Sequence, residues 1–173
     1  GKYRAGRNLT TGEIVDQLIY IRKHIKSPIT NVVFMGMGEP FLNYRNVMNA
    51  ADIMHSPKGF NLASGRITIS TAGILPGIEH FIAEKRKFKL AISLNSPFDN
   101  LRDKIMPINK KWPIAKLIKA AKKYSTQKKC VVMFEYVLLK GINDTEEHAK
   151  ELARLLSGIE CKLNIIPYNE AVT

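Results

Sequence analysis

Cysteine is scarce. The 173 residues contain only Cys130 and Cys161, which excludes a disulfide scaffold and a four-cysteine metal site and fits a reducing cytoplasm. Long apolar runs are missing as well: none approaches the roughly 18 residues of a membrane span. The opening Gly1-Lys2-Tyr3-Arg4 is polar and basic, so no signal peptide is expected. Neither G-x-x-x-x-G-K-[ST] nor G-x-G-x-x-G occurs, so the standard phosphate loops are excluded. Acid is in short supply: Asp plus Glu number 15 against 27 Lys plus Arg, a net charge of +12. That balance points to a polyanionic partner, nucleic acid or an anionic membrane. The chain is 45% hydrophobic and 24% charged, so it is neither disordered nor fibrous, and its length suffices for one domain with a sizeable core.

What is present is alternation. Short β-branched and apolar runs end in Gly, Ser or Asn and lead into amphipathic helical patterns. The runs predict strands at 31–35, 66–70, 88–94, 131–138 and 162–167, each covered on both faces. The periodic segments predict helices at 11–25, 43–56, 76–85, 97–105, 113–125 and 145–156. Thr10 with Glu13, and Asp144 with Glu147, have capping-box spacing. Pro76, Pro97 and Pro113 suit first helical turns. This order implies parallel strands joined by right-handed crossovers, either a partial (β/α) barrel or an open doubly wound sheet. A helix comes first, although in a β/α unit the helix follows its strand. The first strand is therefore expected upstream of Gly1, and the Gly start and the Ala171-Val172-Thr173 stop suggest truncation at both ends.

The unusual residues gather where strands end. Gly36-Met37-Gly38-Glu39-Pro40, Ser70-Thr71-Ala72-Gly73, Ser93-Leu94-Asn95-Ser96-Pro97 and Pro167-Tyr168-Asn169 each close a predicted strand. Parallel β/α folds bind ligands at that rim. Each segment also has a plain structural reading: a tight glycine turn, a helix cap from Ser70 or Thr71, turn formers at Ser93 and Asn95, a loose tail at Asn169. Glu39 stands apart as a carboxylate placed to meet a cationic group.

Nine lysines and no acid lie between 104 and 129. Lys110, Lys111, Lys116, Lys119, Lys122 and Lys123 form the centre of that surface, which favours polyanion binding over a merely solvated face. Trp112 is expected to pack rather than to stack on a base. The four histidines have no metal spacing and fall at no strand's carboxyl end. Cys130 and Cys161 precede strands and therefore sit on the stability face of a barrel.

Several stretches occur together in one order: Arg7-Asn8-Leu9-Thr10, Ile29 through Pro40, Ile69-Ser70-Thr71-Ala72-Gly73, Ser93 through Pro97, Leu101 through Lys111, Gly141-Ile142-Asn143-Asp144 and Cys161 through Asn169. Over essentially its whole length the chain closely resembles the radical S-adenosylmethionine 23S ribosomal RNA adenine-C2 methyltransferases, a group that also methylates transfer RNA. A sister group methylates C8 of the same adenine, but the wording around Gly38-Glu39-Pro40 and Pro167-Tyr168 is closer to the C2 group. The resemblance implies a single core domain over residues 1–173 with a partial (β/α)6 barrel. It further implies S-adenosylmethionine contacts at Gly38, Glu39, Ser70, Ser93, Leu94, Asn95 and Asn169, and RNA as partner. In the full-length enzyme it also implies a 4Fe–4S cluster, an electron donor and a methyl-carrying cysteine.

The chain departs from the family in lacking the CxxxCxxC cluster loop and the methyl-carrying cysteine, and many relatives have His where Asn95 stands. The chain alone is therefore expected to be inactive, without a cluster, and weak at best towards S-adenosylmethionine. The rival readings are a basic, non-enzymatic RNA-binding domain on the same fold, the C8-specific sister, and an unrelated nucleotide-binding β/α domain.

Overall fold

A computed structural model of the chain describes residues 6–35, 38–128 and 130–169. The elements run α1 (Thr11–His24), β1 (Val32–Phe34), α2 (Tyr44–His55), β2 (Ile67–Thr71), α3 (Leu75–Ala83), β3 (Lys89–Ser93), α4 (Asp99–Ile105), α5 (Ile114–Lys128), β4 (Val132–Leu138), α6 (Glu146–Leu156) and β5 (Cys161–Pro167). All five predicted strands and six predicted helices form. Short 3-10 turns at Pro40–Asn43, Ser64–Arg66 and Pro107–Lys110 were not foreseen. The chain divides into two compact units, residues 1–71 with 87–89, and residues 72–86 with 90–173.

In the first unit β1 and β2 are parallel neighbours, with Val33 opposite Thr68 and Phe34 opposite Ile69. Thr10 caps α1 in a full capping box: its hydroxyl accepts from the Glu13 N–H, and the Glu13 carboxylate accepts from the Thr10 N–H at 2.8 Å. Asn43 ties the entry of α1 to α2 by donating to the Leu9 carbonyl at 2.8 Å. The core is the α2 face Val47, Met48, Ala50, Ala51 and Met54 with Ile67 and Ile69 of β2. The spacing of the α2 residues is that of one helical face. Phe88 joins this core, its ring edge-on to His55.

In the second unit β3, β4 and β5 are successive parallel neighbours. Leu90, Ile92 and the following Leu94 recur at period two and are fully buried, as are Phe134 and, on α3 and α5, Ile78, Phe81 and Leu117. The opposite faces of the strands carry polar groups in register: Ser93 opposite Glu135, and Glu135 opposite Asn164.

Four expectations need correction. The cap of α6 is Thr145, whose hydroxyl accepts from the His148 N–H, while Asp144 instead accepts from the Gly141 N–H at 2.9 Å and closes the preceding turn. Pro97 lies outside α4, whose N-cap is Phe98, because Ser96 first makes a turn by accepting from the Phe98 N–H at 3.0 Å. Helix α5 continues three residues past Ser125, since Gln and Lys are good helix formers that polarity alone does not stop. Neither β1 nor β5 is covered on both faces: Val33 stays 51% exposed, and Leu163 and Ile165 38% and 55%, because each ends the strand order and packs as an edge.

Candidate functional site

In the first unit, Gly36 and Met37 of the predicted strand-end segment lie outside the described residues. Gly38 is exposed and Glu39 half-buried. The Glu39 carboxylate is not idle: its Oε1 accepts from the Phe41 N–H at 3.1 Å and caps the 3-10 turn at Pro40–Asn43. A carboxylate offers about four acceptor sites, so this cap is compatible with a second, cationic partner. The plain structural reading thus accounts for Glu39 better than the sequence indicated. Ser70, buried within β2, sits near its carboxyl end. The cap of α3 is Ile74 and has no side-chain hydrogen bond, so helix capping explains neither Ser70 nor Thr71.

In the second unit, Ser93 ends β3 and Leu94 and Asn95 follow it. Asn95 adopts a left-handed backbone with φ 57°, a conformation that Asn tolerates better than most residues. Its Oδ1 accepts from the Val137 N–H at 2.9 Å and its Nδ2 meets the Met106 sulfur at 3.2 Å. Leu94 is fully buried, its N–H donating to the Glu135 carbonyl at 2.9 Å. Asn169 is exposed two residues beyond β5, just after Tyr168 donates its N–H to the Leu138 carbonyl.

Two buried residues that sequence reasoning passed over hold this segment. Arg102 of α4 donates Nε to the Leu94 carbonyl at 2.9 Å, and Nη2 to the Ser93 carbonyl at 2.9 Å and the Ala72 carbonyl at 2.8 Å. Its Nη1 donates to Asn109, which in turn donates to Asp99 and Asp103. Burial lowers the Arg102 pKa to about 10 against the pull of the two aspartates, so it stays cationic at neutral pH. Asn143 donates to the Asn95 and Val137 carbonyls, both at 2.8 Å, and accepts from the Leu139 N–H. Glu135 is also buried and accepts from Asn164 at 2.7 Å. Nothing local in the sequence separates Arg102 from the solvated Lys104 two positions on. The only available signal was the ordered stretch that contains each residue.

Lys110, Lys111, Lys116, Lys119, Lys122 and Lys123 are all exposed. Three of them, Lys116, Lys119 and Lys123, line a groove of about 480 Å³ with Leu75, Glu79 and Ile82. Trp112 is half-buried with the Lys111 ammonium 4.8 Å from its ring centre.

The sequence profile of the Radical SAM superfamily matches residues 1–156. This chain belongs to the radical SAM superfamily. Its α/β fold of parallel strands agrees with the partial barrel that the family resemblance implies, and it superposes with TM-score 0.90 on the crystal structure of a radical SAM methyltransferase from Sphaerobacter thermophilus, 44% identical over 95% of this chain and 49% of that one. The chain is 46% identical over 170 residues to a protein of Geobacter sulfurreducens named dual-specificity RNA methyltransferase RlmN, and 49% identical over 164 residues to one of Protochlamydia amoebophila named a probable RlmN. These alignments cover 98% and 94% of the chain and 46% of each relative, so the chain spans about half the length of the curated relatives it matches.

The cofactors of radical SAM enzymes are S-adenosylmethionine and a 4Fe–4S cluster. Taken separately, each unit has groups of a kind that suits the first: the first a carboxylate at Glu39 and a hydroxyl at Ser70, the second a hydroxyl at Ser93 and an amide at Asn95. The two cysteines do not suit the second. Cys161 opens β5 and Cys130 lies two residues before β4, at the amino ends of the strands. Burial pushes the Cys161 thiol up, away from the thiolate that iron requires. Among the described residues no group of three His, Cys, Asp or Glu is placed to hold a metal ion, and no helix is long and apolar enough to cross a membrane.

Proposed function

We propose that the chain is the S-adenosylmethionine-binding core domain of a cytoplasmic enzyme that methylates C2 of an adenine in 23S ribosomal RNA, and also transfer RNA, by way of a methyl-carrying cysteine. The observation that carries this reading is identity of 41–49% over 94–98% of the chain to proteins named RNA methyltransferases. In this reading Gly38 lets the ligand's methionine end approach the backbone, and Glu39 faces its ammonium. Ser70, Ser93 and Asn169 offer exposed or rim hydroxyl and amide groups, and Asn95 offers Nδ2, which its weak sulfur acceptor gives up at little cost. Leu94, with its side chain buried and both main-chain groups engaged, supplies shape rather than a hydrogen bond.

S-adenosylmethionine supplies the methyl group and, with a reduced cluster held elsewhere in the full-length enzyme, the radical chemistry. An electron donor is the second partner. The lysine surface of α5 holds the RNA backbone by charge. The test is the full-length protein, reduced and supplied with 23S ribosomal RNA, with the modified nucleoside identified by mass spectrometry. 2-Methyladenosine is the expected product; 8-methyladenosine or unmodified RNA overturns the reading.

A further inference from the structure

The three consecutive carbonyls of Ser93, Leu94 and Asn95 all accept from buried side chains: two from Arg102 and one from Asn143. We propose that Arg102 and Asn143 are positioning residues that preset this tripeptide for S-adenosylmethionine, a role that rests on the reading of Ser93 and Asn95 as ligand contacts. Each carbonyl oxygen is thus held by a buried donor that belongs to the protein itself. The tripeptide offers the Ser93 hydroxyl and the Asn95 amide, in a conformation fixed before binding.

The two residues do more than fill space. Arg102 is 0% exposed and Asn143 1% exposed. A buried guanidinium pays a desolvation cost that an aliphatic side chain would avoid. What it supplies is a rigid fork, which here spans the Ala72, Ser93 and Leu94 carbonyls and Asn109 at once. Asn143 completes the arrangement at the left-handed residue. It links the Asn95 carbonyl to the Val137 carbonyl, while Asn95 Oδ1 takes the Val137 N–H. The Asn143 carbonyl itself accepts from the Tyr136 hydroxyl at 2.8 Å, so the loop that carries Asn143 is anchored in turn. Holding contact groups in place before the ligand arrives removes ordering costs from binding. The structure thus assigns a role to two motifs that the direct contacts leave unused, the stretch around Arg102 and Asn109 and the stretch Gly141-Ile142-Asn143-Asp144.

The experiment uses the full-length protein with its cluster, comparing wild type with Arg102→Lys and Asn143→Asp. Lysine keeps the charge but loses the fork. Aspartate keeps the acceptor for the Leu139 N–H but places an oxygen against two carbonyls. Both variants are expected to raise KM for S-adenosylmethionine about tenfold or more while KM for RNA stays within about twofold, since misplacement of a binding group acts on the ligand it contacts. A KM for S-adenosylmethionine that stays at the wild-type value, or that rises only in step with the KM for RNA, overturns the proposal. Asn143→Asp decides the matter if Arg102→Lys does not fold. Glu39→Gln and Ser93→Ala in the same assay separate the two levels of inference. If these leave KM for S-adenosylmethionine unmoved, the ligand reading falls and takes the positioning role with it. If they raise it while Arg102→Lys and Asn143→Asp do not, the positioning role alone falls.

Discussion

At the residue scale, individual side chains make local demands that can be tested one at a time. Gly73, in the turn after β2, has φ +111°, and a Cβ there would lie 2.9 Å from both methyls of Leu117 and 3.4 Å from Arg102 Nη2. Gly73→Ala therefore combines a strained backbone with a clash against the Leu117 methyls, and a loss of about 1–3 kcal/mol is expected in urea unfolding. Glu13 makes a different prediction. Its hydrogen bonds with Arg7, chiefly, and with the Thr10 N–H lower its pKa from 4.5 to about 2. A carboxyl whose folded pKa is depressed adds stability above its unfolded pKa and loses it as pH falls through the folded one. The contribution of Glu13 to α1 should thus be intact above about pH 4.5 and fade between there and pH 2. The side-chain carboxyl resonance of Glu13 should titrate near the lower value by NMR; a midpoint near 4.5 would mean that the Arg7 ion pair does not persist in solution.

At the scale of elements, α5 is the clearest case of one segment serving two purposes. Leu117, Ala121 and Tyr124 face the core while Lys116, Lys119, Lys122 and Lys123 face solvent. Replacing those four lysines with glutamine should leave the fold intact and weaken RNA binding. The slope of log affinity against log salt should also flatten, by roughly 0.7–0.9 for each phosphate that is no longer neutralised. An unchanged slope in a salt titration would place the interface on another element. The capping box is an element-scale device too: Thr10→Ala should cost about 1 kcal/mol and fray the first turn of α1, visible as faster amide exchange there.

The elements themselves were legible because their signals are local. The continuous apolar run Leu90-Ala91-Ile92 and the 3.6-residue stripe of α2 can be read without knowing their neighbours. The rim positions at Glu39, Ser70 and Ser93 were legible because strand ends follow from strand positions. What stayed hidden depends on long-range geometry. No local pattern says that Arg102 turns inward to three carbonyls, or that Asn143 reaches Asn95 from 48 residues away. The exposure of β5 was hidden for the same reason, since Leu163 and Ile165 read as core until the strand order makes β5 an edge.

At the scale of the whole molecule, the chain spans about half the length of its radical SAM relatives and has two cysteines, at the amino ends of β4 and β5. Anaerobic reconstitution of the 173-residue chain with iron and sulfide should leave it colourless. Stoichiometric charge-transfer absorbance that survives desalting would show that Cys130 and Cys161 ligate iron after all.

The grip of Arg102 has a consequence for how such a rim can change over generations. Every oxygen it holds at the strand ends is a peptide oxygen, and peptide oxygens are the same in every residue. The side chains at Ala72 and Ser93, which are not part of the buried core, can therefore be exchanged without changing the oxygens that the arginine holds. Geometry is inherited through one arginine, while the chemistry displayed on it is free to drift. A family built this way can explore new ligands by point substitution at the displayed positions, whereas loss of the arginine would release three backbone oxygens at once.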